Sequence, residues 1–326
     1  MKYSVFLIAS TVACLLSTTT LKAQPNAPDI VVAADGSAAF TSIEAAVMSV
    51  RDYKPTRTTI FIKNGRYAEK ICIPANKCDI TLIGESVDGV VITHGDYASL
   101  NDMGTFRTST LRIDGSGIRI ENLTVENSAG RVGQAVALHV EGDRCEFVNC
   151  RFLGNQDTVF NGHGGHREYF RNCYIEGTTD FIFGPATVWF EQCTIHCKAD
   201  SYITAASTPE DVKYGYVFDR CTVTAAADVT KLYLGRPWRA WAYTLFSECE
   251  LPSCIVPIGW HNWGNVENEK TARYAEYKCT GPGAETSGRA PWTSLLTDDE
   301  RSAITLENVM QRDSAWHPFY DTDKTR

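Results

Sequence analysis

Two aspartates hold equivalent places in the chain: Asp157 lies seven residues after Cys150, and Asp180 seven after Cys173. Both cysteines belong to a recurring phrase. If the phrases stack as coils, equal phase sets one carboxyl group above the other, about 5 Å away. Carboxyl groups that close resist joint ionisation, so one keeps a proton near neutral pH while the other stays charged. An acid beside a carboxylate nucleophile is what acyl or glycosyl transfer requires. Asp200 and Asp228 also lie seven residues after Cys193 and Cys221. The competing reading is therefore that Asp merely opens the next strand at this turn. The flanking residues separate the two pairs. Gln156 immediately precedes Asp157, Asp180 opens Asp180-Phe181-Ile182-Phe183-Gly184, and Leu234-Gly235-Arg236-Pro237-Trp238 brings a guanidinium and an indole near the same phase. An Arg beside a carboxylate lowers its pKa and fixes its orientation.

The elements that must position these groups are written in the repeat. Cys145-Glu146-Phe147-Val148-Asn149-Cys150-Arg151-Phe152 recurs as Tyr169-Phe170-Arg171-Asn172-Cys173-Tyr174-Ile175, and again around Cys193, Cys221 and Cys249, with Leu123 in the cysteine place upstream. The spacings are 27, 23, 20, 28 and 28 residues. Each unit alternates apolar and polar side chains at period two, a strand signal, and no sustained helical periodicity intervenes. Short strands at this period predict a solenoid, best a single-stranded parallel β-helix in which every inward side chain stacks on its counterpart one coil away. A sandwich or propeller would need regularly placed hairpin turns, and Asn64-Gly65 and Asn161-Gly162 are too few. An amphipathic helix over residues 40–50 is expected to cap the stack. A capped helical segment from Thr297 to Met310 is expected to pack along it.

Composition bounds the partners. The 326 residues carry 31 Lys plus Arg against 39 Asp plus Glu, a net charge of −8, with no concentrated basic stretch. That argues against a nucleic-acid partner bound through phosphate neutralisation. The N-terminus has a short cationic start, an apolar run over residues 5–16 too short to span a bilayer, and a small residue at Ala23. This predicts a secretory signal over residues 1–23, cleaved near Ala23, and one exported domain over residues 24–326 without a membrane span. A lipid-anchored alternative would use Cys14, against which Thr11 argues. His163-Gly164-Gly165-His166 has no fixed Cys or acidic neighbour that would make it a metal site, so no metal is expected.

Five segments occur here in the order found in pectin methylesterases: Gly65-Arg66-Tyr67-Ala68-Glu69, Gly133-Gln134-Ala135-Val136-Ala137-Leu138, Gly154-Asn155-Gln156-Asp157-Thr158, Asp180-Phe181-Ile182-Phe183-Gly184 and Leu234-Gly235-Arg236-Pro237-Trp238. The chain resembles that family over nearly all of its length after the signal. The resemblance implies a right-handed parallel β-helix that demethylates esterified homogalacturonan without metal or cofactor, acting as a monomer. Carried over by motif, Asp180 resembles the nucleophile and Asp157 the general acid and then base. Gln134 and Gln156 resemble the oxyanion holders, Arg236 the partner of the nucleophile, Trp238 a sugar platform and Thr105 a substrate contact. Phe160 and Phe183 are candidate substrate contacts, with core packing as the alternative. Cys173 and Cys193 match a disulfide of plant relatives; the alternative is a ladder of buried thiols. Rival functions are a polysaccharide lyase or galacturonan hydrolase, a thioesterase or other carbohydrate esterase on the same architecture, and a non-enzymatic adhesive solenoid. Assays for methanol, unsaturated ends, reducing ends and thiols would separate the enzymatic rivals.

Overall fold

The computed structural model describes residues 27–310 together with Trp316 and Pro318. The expected signal segment, with Ala23 and Cys14, lies outside the described residues. The period-two phrases form short parallel strands gathered into one eleven-stranded and two seven-stranded sheets. One coil takes a strand from each sheet in turn. Cys145–Val148, Arg151–Leu153 and Val159–Asn161 make one coil; Arg167–Arg171, Tyr174–Gly177 and Ile182–Gly184 make the next. The pairings join Phe147 to Phe170, Arg151 to Tyr174 and Val159 to Ile182, so the chain winds as a parallel β-helix. Its sense is right-handed, as twisted strands favour.

A single residue in the left-handed backbone region makes the bend from the large sheet into the next. Asn122, Asn149, Asn172, Gln192, Arg220, Glu248 and Lys278, each just before the repeated Leu or Cys, all have φ between 43° and 55°. Asparagine tolerates that conformation better than most residues, which accounts for the first three. Alternation then sends one side chain of each pair inward. Phe147, Phe170, Phe190, Phe218 and Phe246 stack up the axis with neighbouring ring centroids 4.4 to 4.9 Å apart. One hydrophobic core runs from Val32 to Ala290.

Beside that aromatic stack runs a second ladder, of cysteines. Cys150, Cys173, Cys193, Cys221 and Cys249 are buried and free, and half-buried Cys279 continues the row. The Cys173–Cys193 disulfide expected from the resemblance is therefore not formed. Each thiol instead lies against main-chain carbonyl oxygens at the bend, as Cys173 does with those of Phe147 and Arg171. Neutral thiols can stack in this way without a covalent link.

An α-helix, Ile43–Ser49, packs against Ile30–Val32, Thr58–Ile62 and Ile71–Ile73, burying Ile43, Ala46 and Val47. The Glu69 carboxylate accepts from Ser42 Oγ and from the Ile43 and Glu44 N–H groups, satisfying donors that a helix start leaves open. At the other end, Thr297 and Glu300 form a reciprocal capping box on Asp298–Ser302, and a second short helix follows at Leu306–Met310. Arg301 ties this segment to the large sheet through Asp219 and Ser247. Val309 and Met310 bury themselves among Tyr169, Trp189, Val217 and Leu245.

Candidate active site

The bend before the strands Val159–Asn161 and Ile182–Gly184 places the two aspartates. Asp157 and Asp180 both occupy the left-handed region, with φ of 64° and 49°. The pairings Val159 to Ile182 and Phe160 to Phe183, followed back two residues, set Asp157 directly beneath Asp180 on the adjacent coil. Main-chain bonds pin both bends: the Asp157 N–H donates to the Thr179 carbonyl at 3.1 Å, and the Asp180 N–H to that of Tyr202 at 2.9 Å. Only 8% of Asp157 and 6% of Asp180 is exposed, so both charges face strong desolvation.

Arg236 resolves half of that problem. Its Nε donates to Asp180 Oδ1 at 2.9 Å and its Nη2 to Oδ2 at 2.6 Å, a two-pronged ion pair. Arg236 sits just beyond Gly235, which pairs with Thr204 on the coil below, so the residue beneath Arg236 is Ala205. That small side chain leaves room for the guanidinium to reach two coils down. Burial raises the Asp180 pKa, while the hydrogen bonds and charge of Arg236 pull it back. Asp157 has no such cation to itself. Burial first, then the charge of Asp180, push its pKa up to about 8, and the more distant Arg236 opposes them. The pair thus settles with the proton on Asp157 and the charge on Asp180.

Asp200 and Asp228 fall outside this arrangement. Ile182 pairs with Thr204, which puts Tyr202, not Asp200, over Asp180. The turn after Cys193 carries two more residues than the turn after Cys173, so equal counting from the cysteine loses phase there. Asp200 accepts instead from the Thr230 and Lys231 N–H groups, a structural cap. Asp228 is exposed on the surface.

A cavity of about 370 Å³, within the size range of small-ligand clefts, opens over the pair. It gathers Thr105, Gln134, Gln156, Phe183, Arg236 and Trp238 around the two aspartates. Gln134 and Gln156 come from adjacent coils joined by a parallel bridge, the Ala135 N–H donating to the Gln156 carbonyl at 3.1 Å. Their amide side chains therefore open into the same space. Phe160 does not line the cavity. It packs between Phe106 and Phe183 with centroids 4.9 and 4.8 Å away, backing the wall rather than facing the cleft. Trp238 extends the aromatic row from Phe183 at 6.0 Å.

Three site residues escape a reading by motif: Phe106, Tyr202 and Trp263. Phe106 and Trp263 line the cavity. The Arg236 guanidinium lies between the rings of Tyr202, 3.9 Å away, and Trp263, 3.8 Å away. The signal for Trp263 was an aromatic residue set between turn formers in Gly259-Trp260-His261-Asn262-Trp263-Gly264. Tyr202 carried none, because its place over Asp180 depends on the strand register.

Comparison with known proteins gives the same answer from another direction. The pectinesterase family model matches residues 29–313. The chain is 42% identical to pectinesterase 31 of Arabidopsis thaliana over 87% of its own length and 93% of that protein. It superimposes on pectin methylesterase from carrot with a TM-score of 0.84 at 31% identity, covering 89% of this chain and 95% of that one. A pectin methylesterase in complex with a hexasaccharide matches with a TM-score of 0.76 at 28% identity, over 90% of this chain and 99% of that one. With family model, relatives and fold in agreement over most of its length, the chain belongs to the pectinesterase family.

Proposed function

We propose that the chain is a pectin methylesterase, converting methyl-esterified galacturonate units of homogalacturonan to the free acid and methanol through a covalent intermediate on Asp180. The observation that carries this reading is the split pair: a protonated Asp157 stacked beneath a charged Asp180 that Arg236 grips with both prongs.

Asp180 attacks the ester carbonyl carbon at C6. The Arg236 fork keeps its carboxylate ionised and aimed. Negative charge develops on the carbonyl oxygen, and the amide NH₂ groups of Gln134 and Gln156 hold it. The intermediate collapses as Asp157 gives its proton to the methoxy oxygen, so methanol leaves and an anhydride joins the sugar carboxyl to Asp180. Asp157, now a carboxylate, takes a proton from water, and the resulting hydroxide attacks the anhydride. Cleavage returns Asp180 as a carboxylate, leaves Asp157 protonated, and frees the galacturonate product. Thr105, Phe183 and Trp238 contact the polymer, the indole lying on a sugar face. The chain acts after export as a monomer, with residues 1–23 removed and the remainder forming one catalytic domain. The solved relative that holds a hexasaccharide supports an oligosaccharide-sized substrate.

Highly esterified pectin is the substrate for the test. The expected products are methanol and new carboxylate groups, without unsaturated ends or new reducing ends. Unsaturated or reducing ends without methanol would point instead to a lyase or hydrolase, and the reading would be withdrawn.

A further inference from the structure

The Arg236 grip on Asp180 depends on an aromatic sandwich, and its outer ring is held in an unfavourable backbone conformation. Trp263 and Gly264 have φ of 63° and 71°. For a bulky aromatic residue that conformation is costly and persists only where surrounding contacts impose it. Here the contacts are few and polar. The Trp263 N–H donates to His261 Nδ1 at 3.0 Å, and the Gly264 N–H to Asn262 Oδ1 at 2.8 Å. Asn262 in turn donates through Nδ2 to Glu269 at 2.7 Å and accepts at its carbonyl from Asn268 at 3.1 Å. A main-chain N–H can only donate, so His261 Nδ1 must be unprotonated for the first of these bonds to exist.

We infer that His261 is a positioning residue for catalysis: in its neutral form it pins Trp263 onto the outer face of the Arg236 guanidinium, and protonation at Nδ1 releases the ring and loosens the Arg236–Asp180 fork. Arg236, Tyr202 and Tyr233 face the imidazole from neighbouring coils, the two tyrosine rings with centroids 5.4 and 5.7 Å away. Glu269 reaches the same turn through Asn262, and Asp180 lies on the far side of the guanidinium. An imidazolium there would turn an acceptor into a donor facing an N–H, and would add a second cation beside Arg236. Partial burial and the Arg236 charge accordingly hold the His261 pKa below its ordinary value. Because the proton affinity is lowered, the pinned form persists through neutral pH and is lost only as the medium becomes acidic.

This inference rests on the esterase reading for its activity measurement but has an independent optical one. Tryptophan emission of the unsubstituted chain, minus that of Trp263→Phe, should change between about pH 4 and about pH 8 with a midpoint below that of an ordinary histidine. His261→Asn keeps an acceptor oxygen close to the place of Nδ1 and cannot titrate. It should abolish that transition and move the acid limb of kcat to lower pH. His261→Phe keeps a ring and loses the acceptor, and should lower kcat by about tenfold near neutral pH with a smaller change in KM, the deficit closing at acid pH where the unsubstituted chain has also lost the pin. A flat Trp263 emission in the unsubstituted chain, or an unmoved acid limb in His261→Asn, overturns the proposal. A chain that released no methanol would sink the esterase reading and leave the emission transition standing. A missing transition in an active chain would sink the clamp alone.

Discussion

Two stacks of like side chains climb the same coils seven residues apart, and they are tolerated for opposite reasons. The cysteine ladder faces inward at one bend, where burial pushes the thiols of Cys150, Cys193, Cys221 and Cys249 well above their ordinary pKa and keeps them neutral; at Cys173, between two of them, burial acts in the same sense and contacts with the Cys150 and Cys193 thiols oppose it. Neutral, weakly polar groups repeat rung after rung without penalty, and here they do. The aspartate stack faces the cleft and stops after two rungs. A carboxylate above a carboxylate is unstable in so buried a place unless one is protonated and the other is paired. Asp157 takes the first solution and Asp180, through Arg236, the second. The same repeat thus yields inert filling at one phase and, at the other, a protonated carboxyl beside a carboxylate held by a guanidinium. Burial acts on both; only the second stack keeps a charge that must be managed.

The sharpest way to break this contrast is to remove the charge that the site was built to keep. Asp180→Asn should lower methanol release by at least about 10⁴-fold, with far-UV circular dichroism unchanged, since the amide cannot attack. Asp157→Asn should cost about 10²–10⁴-fold in kcat. It should also abolish the alkaline limb of the pH–rate profile. With its pKa pushed up to about 8, Asp157 supplies a proton below that pH and progressively fails above it. Asp180 must lose its proton to attack, and its pKa too is raised, so activity also falls on the acid side. Gln134→Ala and Gln156→Ala should each lower kcat by about 10²–10³-fold while leaving the two limbs in place. Arg236→Lys keeps the charge but loses the fork and the flat face between Tyr202 and Trp263; a fall of about 10²-fold is expected. At the opposite stack, Cys173→Ala should leave methanol release unchanged and lower stability by about 1 kcal/mol, read by urea denaturation. Intact mass before and after reduction should be identical. A reducible bridge between Cys173 and Cys193 would show that the ladder is not a stack of free thiols.

Much of this site was legible before any fold was known, because a solenoid translates sequence distance into position. Phe147, Phe170 and Phe190 alternate with polar neighbours at period two, and each lands in the core beneath the next. Asp157 and Asp180 share a phase because the two intervening turns have equal length. The same rule failed one coil later, where two further residues put Tyr202 in the place that counting assigned to Asp200. Turn length carries no hydrophobic pattern, so only the ladder of strand pairings reveals the slip. The disulfide expected at Cys173 and Cys193 failed for a related reason: stacking sets two cysteines on adjacent rungs whether or not a bond joins them.

By itself, the sequence determined the coil period, the inward and outward faces of each strand, and the chemical types meeting over the cleft, since all of these follow from local alternation and repeat spacing. Tertiary structure alone decided which aspartate keeps its proton, which rings hold the guanidinium, and that Phe160 backs the wall instead of facing the cleft. Those outcomes depend on desolvation and on contacts between coils far apart along the chain, and neither is a property of any short stretch of residues.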